Sequence, residues 1–289
     1  TAPDGNCFLR PDINNGWVSA CPPGGGFSYA NLGIPEQQRG SSKARFNDFR
    51  IGLEHDLARD RMVYAKLGSG HKAGGFNDSF QAVSAIPEEF APEKLTVLEI
   101  GSRNAFDVGG RRAVLNASAF AYRYDTQVFQ DLTCINFNAA QNRCDGYSLV
   151  NRNIGDSSLH GLELEARLGL PAGFNIDANL VWLRTKIKSG EVADVRAQDF
   201  DLGGQTPLIS LVGNELPLAS RLNLSLRLQQ QLALGNGRFD WQILANYRSG
   251  YYLSQFNEDE VIYLDNSRKS ALAAGFPDRQ PGFTTLNLG

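Results

Sequence analysis

Ser157–Ile187 reads SSLHGLELEARLGL, then PAG, then FNIDANLVWLRTKI. Leu162, Leu164, Ala166, Leu168 and Leu170 alternate with Glu163, Glu165, Arg167 and Gly169. Beyond Pro171-Ala172-Gly173, Phe174, Ile176, Ala178, Leu180 and Trp182 alternate with Asn175, Asp177, Asn179, Val181 and Leu183. Period-two alternation means extended strands with one apolar and one polar face. A three-residue link containing Gly makes the two strands an antiparallel hairpin. Two architectures share this pattern. One is a soluble sheet that buries one face. The other is a membrane barrel with its apolar face to lipid and its polar face to a wet lumen.

The chain outside this hairpin separates the two. It has 289 residues, 42% of them hydrophobic, and a formal net charge of −3. That balance gives no bulk basic signal for a nucleic-acid partner. No run approaches the roughly 18 apolar residues of a membrane helix, which leaves a strand-built barrel open. Thr1 begins no signal peptide, so the chain reads as mature or as a fragment. The cysteines Cys7, Cys21, Cys134 and Cys144 all lie in Gly-, Asn- or Pro-rich stretches. Their spacings predict the local disulfides Cys7–Cys21 and Cys134–Cys144 in an oxidising compartment, with four free thiols as the competing reading.

The hairpin repeats along the chain. Residues 1–43 read as a long loop. Arg45–Leu57 is a strand, turned by Ala58-Arg59-Asp60 into Arg61–Lys72. A loop from Ala73 to Pro92 follows. Glu93–Phe106 is turned by Asp107-Val108-Gly109-Gly110 into Arg111–Thr126, whose Phe120, Tyr122 and Tyr124 make one face mixed. Gln127–Asp156 reads as a loop, and so does Lys188–Ala219 after the central hairpin. Ser220–Leu234 and Arg238–Tyr252 pair across Gly235-Asn236-Gly237. After a loop from Leu253 to Gly282, Phe283–Leu288 begins one more strand, giving about nine.

Short turns of about three or four residues therefore alternate with loops of roughly 20 to 30. Every short turn then falls at one end of the sheet and every long loop at the other. Outer-membrane barrels have this asymmetry, whereas sandwiches mix loop lengths. Strands of roughly 12 to 15 residues exceed the usual five or six and suffice to cross hydrocarbon. Phe106, Phe174, Phe239 and Trp241 lie near the turns, and Trp182, Tyr247, Tyr251 and Tyr252 toward the loops, as two interfacial girdles require. The predicted fold class is all-β, an antiparallel transmembrane barrel.

Three stretches carry a family resemblance. RMVYAKLGSGHKAGGFN (61–77) resembles a strand and loop entry of TonB-dependent outer-membrane receptors. FAPEKLTVLEIGSRNAF with RRAVLNASAFAYRYDTQVFQ (90–106 and 111–130) resembles the next hairpin of that family. NIGDSSLHGLELEARLGLPAGFNIDANLVWL (153–183) resembles the one after it. The likeness covers about residues 40–289. It implies a barrel of about 22 strands plugged by an N-terminal domain, in the outer membrane of a Gram-negative bacterium. It also implies a TonB partner reached through the plug, lipid around the barrel, no enzyme activity and no resident cofactor. The implied cargo is a ferric siderophore, with iron present only as part of the transported chelate.

This chain has no plug, no TonB box and about nine strands. An open sheet leaves two edges unpaired in lipid, which is not viable. The expectation is therefore that residues 1–289 are part of one barrel domain, with 1–43 an extracellular loop and the plug and remaining strands outside the segment.

Candidate chemistry is sparse. Gly68-Ser69-Gly70-His71-Lys72 lacks the phosphate-loop spacing. Asn257-Glu258-Asp259-Glu260 reads as a solvated acidic loop before a cation site. No metal site and no Ser–His–acid set is suggested, so no catalytic residue is assigned. The predicted lumen face carries Arg50, Glu54, Glu99, Arg103, Glu163, Glu165, Arg167, Arg227 and Asp240. Lys66, His71, Lys72, Tyr122, Tyr124, Lys186, Arg248 and Tyr252 are the candidate contacts for an anionic, aromatic chelate through charge and stacking. The alternatives to energy-coupled uptake are a passive outer-membrane porin and a secreted β-sandwich binding protein.

Overall fold

The computed structural model describes residues 8–12, 16–20, 43–77, 89–138, 140, 143–194, 196, 208–262 and 267–289. For 8–12, 16–20, 132–138 and 143–148 it describes the backbone alone. Nine strands form one antiparallel sheet in chain order. They are β1 (Arg50–Ala58), β2 (Arg61–Lys72), β3 (Glu93–Asp107), β4 (Arg112–Asn138), β5 (Arg143–Gly169), β6 (Phe174–Ile187), β7 (Leu222–Leu234), β8 (Gly237–Arg248) and β9 (Phe283–Leu288). Each pairs with its chain neighbours, so β1 and β9 are the two edges and the barrel is not closed.

Turn chemistry fixes the hairpins. Val108 and Arg111 exchange backbone hydrogen bonds at 2.8 and 3.3 Å around Gly109 and Gly110. Both glycines have positive φ, as a two-residue hairpin turn that follows the twist of the strands requires. The Asp107 carboxylate accepts the Gly110 amide at 2.8 Å.

The register assigns every strand residue to a face. Leu164 pairs with Leu180, Leu180 with Leu224, and Leu224 with Tyr247. One residue on, Glu165 pairs with Asn179, Asn179 with Ser225, and Ser225 with Asn246. An apolar face and a polar face therefore run across the sheet. The mixed strand β4 is resolved by its partners. Asn116 pairs with Glu165 and Ser118 with Glu163, so Phe120, Tyr122 and Tyr124 belong to the polar face and Ala113, Leu115, Ala117, Ala119 and Ala121 to the apolar one. The apolar face is open: Leu53, Ile100, Leu164 and Leu226 are 73%, 55%, 44% and 44% exposed. On β6 it is bracketed by Phe174 and Trp182, about 26 Å of strand apart.

Several loop expectations are corrected. Gln127–Asp156 is mostly strand: β4 and β5 continue as a two-stranded ribbon beyond the sheet. The register shifts between Tyr124 and Val128, where Thr126 has φ of 56°, and again near Asn136. A bulge adds an unpaired residue and resets the alternation, so a period-two reading stops there. The first strand starts at Arg50 rather than Arg45, and β8 ends at Arg248 before a separate Tyr251–Tyr252 pairing with Arg279–Gln280. The stretch 1–43 contains a ribbon of Phe8–Asp12 against Gly16–Ala20. Gly75–Phe76 pairs with Glu89–Phe90 within 73–92. The loop from Lys188 contains Glu191–Ala193 paired with Leu208–Ser210. Cys7 and Cys21 lie outside the described residues, and Cys134 and Cys144 fall where only backbone is described. No described helix is long and apolar enough to cross a membrane.

The buried core sits in the loops. Ile187, Val192, Ile209, Leu211 and Phe256 cluster with Phe129 above β6. A sheet whose apolar face is open keeps no core of its own, so burial concentrates where the loops pack on the loop ends of β4–β6.

Candidate functional site

The polar face is a wall of paired charges. Tyr64 donates to Glu99 at 2.7 Å, and Lys66 lies 3.8 Å from the same carboxylate and 4.3 Å from the Tyr64 ring centroid. Asn116 donates to Glu165 at 2.9 Å, and Arg167 reaches Glu165 at 2.6 Å and Asp177 at 3.6 Å. Arg227 closes the series on Asp177 with contacts of 3.0 and 2.8 Å. A carboxylate, an arginine, a carboxylate and an arginine thus run across β5, β6 and β7. Period-two placement puts the charges on one face, and register sets opposite signs beside each other. Arg50, Glu54, Glu99, Arg103, Glu163, Glu165, Arg167, Arg227 and Asp240 all share this face by register.

The candidate contact residues divide. Lys66, Lys72, Tyr122 and Tyr124 come together on the polar face of β2–β4, toward the long-loop end. Lys72 pairs with Glu93 at 3.0 Å, and Glu93 also accepts the Val128 amide at 2.6 Å. Arg248 shares the face but stands four strands from β4, about 19 Å across a flat sheet. Its Nη2 donates to the Leu218 carbonyl at 2.8 Å, and its guanidinium lies 4.3 Å from the Tyr251 ring. Tyr252 lines a cavity of about 800 Å³ with Trp182, Glu215, Arg221, Tyr247 and Arg279.

Two candidates stand apart from the others. His71 pairs with Lys94, and Lys186 with Ser158, on the opposite face. Both sit one residue out of step with the polar set, so the pleat turns them away. His71 Nδ1 instead meets Asp48 at 2.7 Å, and its ring stacks on Phe46 with centroids 4.6 Å apart. Asn257 and Asp259 serve structure: Asn257 accepts the Glu215 amide at 2.7 Å, and Asp259 accepts from Asn214 at 2.7 Å. Among the described residues no group of three or more His, Cys, Asp or Glu could hold a metal ion.

Sequence reading missed the ionic centre of the loop core. Arg196 donates to both carboxylate oxygens of Asp194, at 2.9 and 3.0 Å, and to the Asp259 carbonyl at 3.1 Å. Its guanidinium lies 4.3 Å from the Phe256 ring. A single Asp-x-Arg in a loop carries no periodic signal that marks it for burial.

The chain matches the family model "TonB dependent receptor-like, beta-barrel" over residues 24–289. Among solved structures it is similar to the ferric yersiniabactin uptake receptor FyuA from Yersinia pestis, at 17% identity and a TM-score of 0.54, covering 83% of this chain and 28% of that one. It is also similar to the copper transporter OprC, at 19% identity and a TM-score of 0.51, covering 83% and 30%. BauA, the ferric preacinetobactin receptor from Acinetobacter baumannii, gives 15% identity, a TM-score of 0.51 and coverage of 83% and 28%. No curated protein sequence matches. The chain spans less than a third of the length of these three structures. Barrels of this family are outer-membrane proteins of Gram-negative bacteria and serve as transport receptors rather than enzymes. With nine antiparallel strands, short turns opposed to long loops, and a family match across most of its length, the chain belongs to the TonB-dependent receptor β-barrel family.

Proposed function

We propose that this chain is part of the wall of an energy-coupled outer-membrane receptor that imports a ferric siderophore. The apolar face meets lipid and the polar face meets a hydrated lumen. The remaining strands and a plug domain that engages TonB belong to the rest of the protein. The open edges of β1 and β9, and structural neighbours of which the match covers less than a third, support that division. Two of those neighbours carry names as ferric-chelate receptors.

The observation that carries the reading is the cluster of Lys66, Lys72, Tyr122 and Tyr124 on the polar face near the long loops. Ammonium groups beside phenol rings suit an anionic chelate with aromatic arms. Arg248 and Tyr252 present the same chemistry on the wall beyond. No metal ion is held by the protein in this reading, because iron enters and leaves inside its chelate.

The test uses the complete protein in an iron-restricted host, supplied in turn with catecholate, hydroxamate and phenolate ferric chelates. Uptake of one class that disappears when TonB is removed is the expected result. Uptake that persists without TonB makes the protein a passive porin. The double variant Lys66→Gln/Lys72→Gln is expected to weaken chelate binding by about tenfold or more, the scale of one or two charge-assisted contacts.

A further inference from the structure

The two lysines of the candidate chelate site are held by carboxylates in different settings. Lys66 lies 3.8 Å from Glu99, which also accepts from Tyr64 at 2.7 Å, so its partner is anchored within the wall of the sheet. Lys72 lies 3.0 Å from Glu93, the first residue of β3. The Glu93 side chain is 6% exposed, whereas that of Lys72 is 71% exposed. The second oxygen of Glu93 accepts the Val128 amide at 2.6 Å. One carboxylate thus gives one oxygen to the site and the other to β4, and no second cation pairs with it among the described residues.

Val128 stands where the β4–β5 ribbon begins. The register shifts between Tyr124 and Val128, and Val128 pairs with Asn153 above the shift. The next residue, Phe129, belongs to the buried loop core, and Asp131 accepts the Ala193 amide at 2.9 Å. The ribbon is seated on the residues that lead into β3. The Thr126 hydroxyl donates to the Pro92 carbonyl at 2.8 Å. The Asn153 carboxamide donates to the Ala91 carbonyl at 2.9 Å and accepts the Ala91 amide at 2.6 Å. These are bonds between neutral groups. The bond from Val128 to Glu93 is charge-assisted, and of these contacts it alone shares its acceptor with a side chain of the chelate site.

We propose that Glu93 is a positioning residue that ties the occupancy of Lys72 to the seat of the β4–β5 ribbon. The exposed Lys72 ammonium is free to turn toward an anion in the lumen. A buried carboxylate that loses its counter-ion is strongly disfavoured. Rotation of Glu93 out to water relieves it, and that rotation drops the Val128 amide. An anion at Lys72 therefore loosens the base of the ribbon, and by reciprocity a firmly seated ribbon opposes the anion. Lys66 has no such connection, because Glu99 bonds only to Tyr64 and Lys66 among the described residues. The identity of the anion rests on the chelate reading above, whereas the link from Lys72 through Glu93 to Val128 is already present in the free protein.

The experiment uses the complete receptor in detergent with ferric tris-catecholate as the probe, and reads amide exchange over residues 127–131 together with probe affinity. In the free receptor Lys72→Gln is expected to speed exchange at Val128 by about fivefold or more, and Lys66→Gln to leave it unchanged. In the parent, saturation with the probe should produce the same acceleration. Glu93→Gln keeps an acceptor for the Val128 amide and frees Lys72. It should bind the probe about fivefold or more tightly, with no change in Val128 exchange on binding. A carboxylate with a purely structural role would leave the probe without effect on Val128 in the parent. That result, unchanged exchange in Lys72→Gln, equal acceleration in Lys66→Gln, or unchanged probe affinity in Glu93→Gln each overturns the coupling. A parent that binds no probe counts instead against the chelate reading, and the two lysine variants of the free receptor then decide the coupling by themselves.

Discussion

Asp194 is fully buried in the loop core and accepts two hydrogen bonds from the Arg196 guanidinium, which lies across Phe256, and a third from the Arg196 amide. The pair joins two separate loops. Asp194 follows the Glu191–Ala193 strand, while Phe256 and Asp259 belong to the loop before β9. Ala193 is held in turn by its amide donating to Asp131 on the β4 ribbon at 2.9 Å.

Removing Arg196 strands a buried carboxylate, which costs about 3–5 kcal/mol when one partner of a buried pair is lost. Arg196→Ala is therefore expected to open the lobe while leaving the sheet intact. Hydrogen exchange should quicken at Glu191–Ala193 and Leu208–Ser210 and stay slow in β5 and β6. Asp194→Asn combined with Arg196→Met should restore most of the protection, because no charge is then left buried. Equal exchange in Arg196→Ala and the parent would show that the pair does not hold the lobe.

Two glycines on the polar face lie under aromatic rings. A Cβ at Gly161 would stand 2.6 Å from Phe120 Cζ and 2.3 Å from the Trp182 carbonyl oxygen, and one at Gly101 would stand 2.6 Å from Tyr64 Cζ. The ring covers the missing side chain of its cross-strand neighbour. Gly161→Ala must move backbone as well as ring, and is expected to cost about 1–3 kcal/mol as overpacking. Gly70, where a Cβ meets nothing within 4 Å, should tolerate alanine. Urea unfolding of the complete protein in vesicles compares the two. Equal midpoints would refute the ring-over-glycine account.

The two faces make a sharper contrast. Ala178 sits between Ala166 and Leu226, midway between Phe174 and Trp182, and its neighbour Asn179 pairs with Glu165. Ala178→Arg is expected to cost about 2–4 kcal/mol, and Asn179→Arg much less. The same vesicle refolding assay reads both, and equal costs would reverse or abolish the face assignment.

These faces were legible in the sequence because period-two alternation is local and strong. Arg61–Lys72, Phe174–Ile187 and Phe283–Leu288 match the observed strands to the residue. Legibility failed at Thr126, where a bulge reset the phase and hid twelve further residues of β4. It failed again for Arg196, because burial by loop packing leaves no periodic trace. For His71 and Lys186, which lie on the face opposite Lys66 and Lys72, the reason is simpler. Residue type suggested chemistry, and the one-residue offset that sends a side chain to the other face was not counted.

Asp48 precedes β1 and lies outside the membrane-spanning strands, and its contact with His71 ties that segment to the loop end of β2. Desolvation raises the Asp48 pKa, but hydrogen bonds with His71 and Ser69 and the His71 charge bring it below the ordinary carboxylate value. A depressed carboxylate contributes stability above its unfolded pKa and loses it as pH falls through the folded one. Protection of the Phe49 amide, which donates to Ser69 at 3.3 Å, should therefore persist through mildly acidic pH and fall only below the usual Asp range. Asp48→Asn should remove that acid transition. An unchanged transition in the variant would assign it to another group.

The edges of the sheet give the last prediction. β1 pairs only with β2, and β9 only with β8, so each exposes one row of amides and carbonyls among the described residues. In hydrocarbon every such group costs several kcal/mol. Neither edge carries an internal proline, and Leu53 at 73% and Leu288 at 75% exposure add apolar surface beside the open ladders. Two strands paired this way complete their hydrogen bonding with whatever edge is nearest. In the proposed receptor those edges are expected to be further strands of the barrel. In residues 1–289 expressed alone the nearest edge is another copy, and the expected product is aggregate with no heat-modifiable band. A monomeric, heat-modifiable barrel recovered from this segment would mean that β1 and β9 close on each other, and would favour a small passive pore over the wall of a larger receptor.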